Sequence, residues 1–91
     1  MYYLYILECA DKSLYTGITN DFPKRIKMHN NGKASKYTRA RLPVNYVFIK
    51  KIDNKSDALK LEIKTKKLTR DDKLKLISSN KNEINDILKK A

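Results

Sequence analysis

Glu62 is a carboxylate on the apolar side of its helix. At about 100° per residue, the run from Ala58 to Leu68 gathers Ala58, Leu59, Leu61, Ile63, Thr65 and Leu68 on one broad arc, with Lys60, Lys64 and Lys67 opposite. Glu62 falls inside that arc, between Ala58 and Leu59 in angle. A carboxylate turned toward a core needs a partner, because an uncompensated buried charge is strongly unfavourable. A basic residue, such as Arg25 or a lysine, would satisfy it. So would a metal ion.

Arg25 and His29 form a second chemical pair. Their i, i+4 spacing sets them on one helix face beside Phe22 and Ile26. A guanidinium suits bidentate contact with a phosphate, and a neighbouring imidazole can donate a hydrogen bond or carry a proton. The same spacing also describes an ordinary surface pair on a basic helix. Six tyrosines and no tryptophan are a further oddity, with Tyr2, Tyr3, Tyr5 and Tyr15 close together near the N-terminus. Tyrosine favours strands for packing reasons, but a phenol pointing into a site is also a proton-transfer group. Finally, Lys33, Lys36, Arg39 and Arg41 surround Tyr37, a mixture suited to phosphate contacts beside a stacking ring and equally to a solvated basic loop.

The elements that must position these groups are readable. Tyr2 to Cys9 has the near-continuous apolar and aromatic content of a strand, and Leu14 to Thr19 completes a β-hairpin. Tyr5 and Tyr15 share a sheet face only if the hairpin loop has an odd residue count. Asn20, Asp21 and Pro23 start a helix that runs to about His29 or Asn30, where Asn31-Gly32 stops it. Lys33 to Pro43 reads as a basic loop, and Val44 to Ile52 as a third strand. Asn54 or Ser56 caps the helix that carries Glu62 to Leu68. Thr69 with Asp72, and Asn80 with Glu83, have the spacing of capping boxes for two further helices, the last bearing Ile84, Ile87 and Leu88. This order predicts one α+β domain over residues 1–91: a small, three-stranded, mostly antiparallel sheet flanked by helices. Its core spans residues 2–68, with a helical extension over 69–91.

Composition narrows the partner. The 91 residues hold 21 Lys and Arg against 10 Asp and Glu, a formal charge of +11. Such a charge opposes compaction and is best tolerated beside a polyanion, with nucleic acid first. An anionic membrane finds no support, since there is no long apolar stretch and no Lys-rich N-terminal helix. One cysteine (Cys9) and one histidine cannot build a four-ligand zinc site. A lone cysteine and the absence of a signal peptide before Tyr2 point to a reducing cytoplasm. Gly17 and Gly32 are the only glycines, so there is no Gly-rich phosphate loop.

Taken together, these residues resemble the GIY-YIG nuclease family, in particular its small stand-alone bacterial members. Leu4-Tyr5-Ile6 stands where the first motif ends in tyrosine, lacking the preceding glycine and isoleucine, as is common in that group. Tyr15-Thr16-Gly17 is close to Tyr-Ile-Gly. Tyr5-Ile6-Leu7, Tyr15 to Thr19, His29-Asn30-Asn31-Gly32, Lys36-Tyr37-Thr38-Arg39 and Lys66-Lys67-Leu68 match further phrases in order. The resemblance implies a metal-dependent endonuclease, acting on DNA ahead of RNA. It makes Glu62 the ligand of one Mg²⁺ or Mn²⁺ and Tyr5 the group that orients or deprotonates water. Arg25 becomes the transition-state cation, with Tyr15 and His29 assisting by hydrogen bonds. Lys33, Lys36, Tyr37, Arg39 and Arg41 would hold the strand. For Tyr5 to act as a base near neutrality, nearby cations must favour its phenolate. A non-catalytic nucleic-acid-binding module on the same scaffold is the alternative. The chain is taken as a monomer.

Overall fold

The structure is a computed structural model that describes residues 1–89. Its elements are β1 (Tyr2–Glu8), β2 (Leu14–Thr19), α1 (Phe22–Asn30), α2 (Lys36–Arg39), β3 (Asn45–Ile52), α3 (Lys55–Lys66), α4 (Arg70–Ile77) and α5 (Ile84–Lys89). Residues 90 and 91 of the predicted extension lie outside the described residues. The strand order is β2-β1-β3, with both pairings antiparallel. The expected α+β architecture is therefore the observed one.

The central strand β1 explains its own composition. Its even residues face one layer and its odd residues the other, and both layers are covered, so its run is apolar almost throughout. Leu4 and Ile6 join Phe48, Ile52 and Ala58, with Leu61, Leu76 and Ile77 of α3 and α4 packed on them. On the opposite face Tyr5, Leu7 and Cys9 join Val44 and Ile49, covered by Phe22 and Ile26 of α1 and by Ile84 and Ile87 of α5. The chain thus forms three layers, and the tyrosine-bearing face lies under α1.

Local signals act where expected at three helix starts. Asp21 accepts from the Lys24 N–H at 3.1 Å, Asn54 from Asp57 at 2.8 Å and Thr69 from Asp72 at 3.2 Å. Gly32, at φ +74°, ends α1 with the Lys33 N–H on the Met28 carbonyl and the Gly32 N–H on that of His29. That is the left-handed glycine stop.

Three expectations need correction. The loop Lys33 to Pro43 contains a helical turn, α2, capped by Ser35. The apolar arc of α3 is narrower than the sequence suggests: Ala58 and Thr65 are buried and Leu61 is half-buried, whereas Leu59, Ile63 and Leu68 are exposed. A three-stranded sheet is too small to cover a broad arc, so it takes only the stripe 58, 61, 62, 65. Finally, Asn80 and Glu83 form no capping box. Asn82 donates to the Val47 and Ile77 carbonyls and accepts from the Ile49 and Ile84 N–H groups. Glu83 donates its N–H to the Ile49 carbonyl and accepts from the Lys51 N–H. The segment before α5 thus satisfies the open edge of β3 as well as the start of its own helix, through Asn82 rather than Asn80.

Two irregularities shape the tyrosine face. Between Ile6 and Leu7 the β1–β3 register shifts, so that Ile6 faces Phe48 and Leu7 faces Tyr46. This bulge brings Tyr46 onto the face it would otherwise have turned away from. On β2, Gly17 lies opposite Tyr5, and a Cβ there would stand 2.5 Å from the Tyr5 hydroxyl oxygen and 2.6 Å from its Cζ. Glycine is required by the ring that crosses it, not by its backbone angles. Gly17→Ala is expected to lower stability by about 1–3 kcal/mol, the usual cost of overpacking, and to displace Tyr5. Urea denaturation measures this; an unchanged midpoint would contradict the crossing.

Candidate active site

The hairpin register brings the phenols together. Glu8 pairs with Leu14, leaving the odd, five-residue connection Cys9 to Ser13, and Tyr5 pairs with Gly17 while Leu7 pairs with Tyr15. Tyr5 and Tyr15 therefore share a face. Both rings meet His29 edge-on, with centroids 5.9 Å and 5.4 Å from the imidazole. The Tyr5 hydroxyl lies 2.9 Å from His29 Nε2, and His29 Nδ1 lies 2.9 Å from Thr38 Oγ1. All three residues are almost wholly buried. Tyr46 buttresses the group: its ring packs edge-on against Tyr5 at 5.4 Å and its hydroxyl donates to the Phe22 carbonyl at 2.7 Å.

The charged groups stand around this buried cluster. Arg25, half-buried on α1, is close enough for its charge to act on Tyr5, His29 and Tyr46. Glu62 is close enough for its carboxylate to act on Tyr5. The Glu62 side chain is 18% exposed and pairs with Lys66 at 3.5 Å, one turn on. That lysine is half in solvent, and an i, i+4 pair of this kind contributes only about 0.3–0.5 kcal/mol. Glu62 is thus paired but not sealed.

Burial decides the protonation of the cluster. The Tyr5 phenol is pushed well above its ordinary value, first by burial and then by Tyr15, against the lowering effect of Arg25; Tyr46 and Glu62 add smaller upward effects. The Tyr46 phenol is raised too, again mainly by burial. His29 is lowered to about 4, by burial first and by Arg25 second. The expectation that neighbouring cations favour a Tyr5 phenolate is therefore overturned for the free protein. One guanidinium does not offset desolvation, and at neutral pH the pair is a neutral phenol on a neutral imidazole.

The basic segment is organised rather than loose. Gly32, Lys33, Ala34, Ser35, Lys36 and Arg39 line a shallow cavity of about 330 Å³. Tyr37 stacks on Tyr15, with centroids 6.0 Å apart and planes 25° from parallel. The Arg41 guanidinium sits 3.9 Å from the Tyr37 ring centre and pairs with Asp11 at 3.1 Å. Arg41 and Tyr37 are thus engaged by protein groups, which leaves Lys33, Lys36 and Arg39 as the freer cations.

A family model described as the GIY-YIG catalytic domain matches residues 1–75. The chain belongs to the GIY-YIG family. It is 57% identical over 79 residues to a UPF0213 protein of Clostridium perfringens, covering 87% of this chain and 85% of that one. It is 49% identical over 82 residues to a UPF0213 protein of Oceanobacillus iheyensis, covering 90% and 95%. The solution NMR structure of a UPF0213 protein from Bacillus halodurans matches with a TM-score of 0.58 at 44% identity, over 89% of this chain and 87% of that one. Another solution NMR structure, of a protein from E. faecalis, gives 0.60 at 38% identity, over 85% and 82%. Membership makes this a nuclease-type domain directed at nucleic acid. Among the described residues, no helix is long and apolar enough to cross a membrane.

Two members of this GIY-YIG cluster escaped the sequence reading. Tyr46 needed the bulge, which leaves no mark in residue types. Thr38 sits within Lys36-Tyr37-Thr38-Arg39, but its nine-residue separation from His29 fits no helical or strand period.

The His29 shift has a consequence for stability. Its folded value, about 4, lies below the ordinary 6.5, so between these values the unfolded chain binds a proton that the folded chain refuses. The contribution is present in full above about pH 6.5 and lost as pH falls toward 4. It amounts to about 3.5 kcal/mol at most, on the order of 1.4 kcal/mol per unit. Urea midpoints between pH 7.5 and 4.5 should fall more steeply for the wild type than for His29→Gln; equal slopes would contradict the burial.

Proposed function

We propose that this chain is a metal-dependent endonuclease that hydrolyses phosphodiester bonds, with DNA as the favoured substrate over RNA. The observation that carries this reading is the buried Tyr5–His29 hydrogen bond, with Tyr15 on the same face and the charges of Arg25 and Glu62 acting on it. Family membership and the charge of +11 support nucleic acid as the partner. The lone buried cysteine fits action in a reducing cytoplasm.

The roles follow from the chemistry of each group. Tyr5 presents hydroxyl lone pairs to an attacking water while its own proton is held by His29. It accepts the water proton as it gives up its own, so no standing phenolate is needed. Arg25 supplies hydrogen bonds and positive charge to the phosphorane-like transition state. Tyr15 holds the other side of the imidazole. Lys33, Lys36 and Arg39 bind flanking phosphates, with Tyr37 and Arg41 shaping the wall.

Glu62 would hold Mg²⁺ or Mn²⁺. A lone carboxylate is the hard oxygen donor these ions take, with water and phosphate oxygens completing the shell. Among the described residues no three His, Cys, Asp or Glu side chains cluster, so affinity for the ion without substrate would be weak. When bound, the ion supplies charge stabilisation at the phosphate and its leaving oxygen.

Nicking of supercoiled DNA in Mg²⁺ or Mn²⁺ tests the reading. Glu62→Ala, Arg25→Ala and Tyr5→Phe should each cut about 10²-fold more slowly, or worse, while retaining DNA binding. Binding without cutting in either ion would leave the non-catalytic binding module instead.

A further inference from the structure

The three buried groups Tyr5, His29 and Thr38 are joined in line, and Thr38 has a second contact: its Oγ1 lies 3.3 Å from the Ser35 carbonyl oxygen. We infer that Thr38 is a positioning residue that fixes His29 as the Nδ1–H tautomer, making Nε2 the acceptor of the Tyr5 hydroxyl proton. The catalytic part of this inference rests on the nuclease reading; the tautomer does not.

Direction follows from counting protons. Threonine has one hydroxyl hydrogen, and the Ser35 carbonyl, an acceptor only, lies within its reach. A threonine in a helical turn commonly bonds back to such a carbonyl. With that hydrogen on Ser35, Thr38 can only accept from His29, so Nδ1 carries the imidazole proton. Nε2 is then a lone pair facing the Tyr5 hydroxyl at 2.9 Å. The opposite arrangement fails twice. A proton on Nε2 would have to donate to Tyr5, whose own hydroxyl hydrogen would then lose the one protein partner it has. Thr38 would have to turn its hydrogen to Nδ1, leaving two acceptor oxygens facing each other near Ser35. The first arrangement gives both hydroxyl hydrogens a protein acceptor and the second gives only one, so the first prevails.

The position of Ser35 is itself fixed. Its side chain caps α2 by accepting from the Tyr37 N–H at 3.1 Å, and its carbonyl accepts from the Arg39 N–H at 3.0 Å. The short helix inside the basic segment therefore has a second use. It aims one hydroxyl at the imidazole while its cations face outward. In the reaction, a water proton passes to the Tyr5 oxygen as the Tyr5 proton passes to His29 Nε2. The phenol ends neutral, and the hydroxide forms the new bond to phosphorus as the bond to the leaving ester oxygen breaks, its electron pair staying on that oxygen, which takes a proton from water. The resulting imidazolium keeps its Nδ1–H on Thr38 and returns the Nε2 proton to solvent after the product leaves.

His29 is the only histidine, so its ring nitrogens are read without ambiguity in a long-range ¹H–¹⁵N spectrum of labelled protein. At neutral pH the wild type should show Nδ1 protonated and Nε2 with the shift of a bare nitrogen. Thr38→Ser, which keeps the hydroxyl, should retain that pattern. Thr38→Val, close in shape, should lose it in favour of a mixture or the Nε2–H form. Its cutting rate should fall about a hundredfold through kcat with KM little changed. An Nε2–H wild type would overturn the inference, as would a Thr38→Val protein of native backbone spectrum with the wild-type tautomer. Should the valine variant not fold, wild type and Thr38→Ser still decide, since either one in the Nε2–H form contradicts it. The correct tautomers with wild-type cutting by Thr38→Val would overturn the catalytic part alone. Absence of cutting by the wild type would count against the nuclease reading and leave the tautomer result standing.

Discussion

The hydrogen bond between the Tyr5 hydroxyl and His29 Nε2 is the contact on which the rest of the site depends. To make it, a ring on the central strand must cross the neighbouring strand, which only a glycine at position 17 permits. The imidazole must arrive from α1, a helix held by the Asp21 cap at one end and the Gly32 stop at the other. Asn30 fixes that end further, donating to the Val44 carbonyl and accepting from the Val44 N–H at the entrance to β3. Hairpin, helix and third strand thus converge on one bond 2.9 Å long.

That bond is neutral in a protein of charge +11. The contrast has a physical origin. Surface charges act through water and salt and are largely screened beyond about 10 Å, whereas desolvation acts at full strength on a buried group. Burial therefore outweighs Arg25 in setting the state of Tyr5, and burial and Arg25 together keep His29 unprotonated. A neutral pair is suited to moving a proton when a substrate's charge arrives. Standing charges would instead be held by their surroundings. Glu62 follows the complementary logic. Its exposed lysine partner is weak enough to be displaced, so its carboxylate remains available on the flank of α3.

Much of this was legible in residue types and spacing. Caps and stops depend on neighbours a few residues apart, so Asp21, Asn54, Thr69 and Gly32 act as their local sequence indicates. The shared face of Tyr5 and Tyr15 follows from strand parity and an odd connection. The unusual angle of Glu62 on its helix was visible, although the width of the apolar arc was not, because it is set by how much sheet is available to cover it. What escaped depends on contacts between distant segments. The bulge that turns Tyr46 inward, the capture of Asn82 and Glu83 by the edge of β3, and the meeting of Thr38 with His29 all arise from tertiary geometry. The engagement of Tyr37 by Tyr15 and Arg41 belongs to the same class: composition marks an aromatic among cations, but not whether its ring is free.

The most direct measurement is a crystal structure of the wild-type protein with a short DNA oligonucleotide in Ca²⁺, an ion that takes the same kind of oxygen ligands. The account predicts one backbone phosphate against Arg25 and the Tyr5 hydroxyl, with the Glu62 carboxylate turned to that same phosphate and its Lys66 pair opened. A strand bound across the outer faces of α3 and α4, leaving Tyr5, Arg25 and Glu62 untouched, would contradict it.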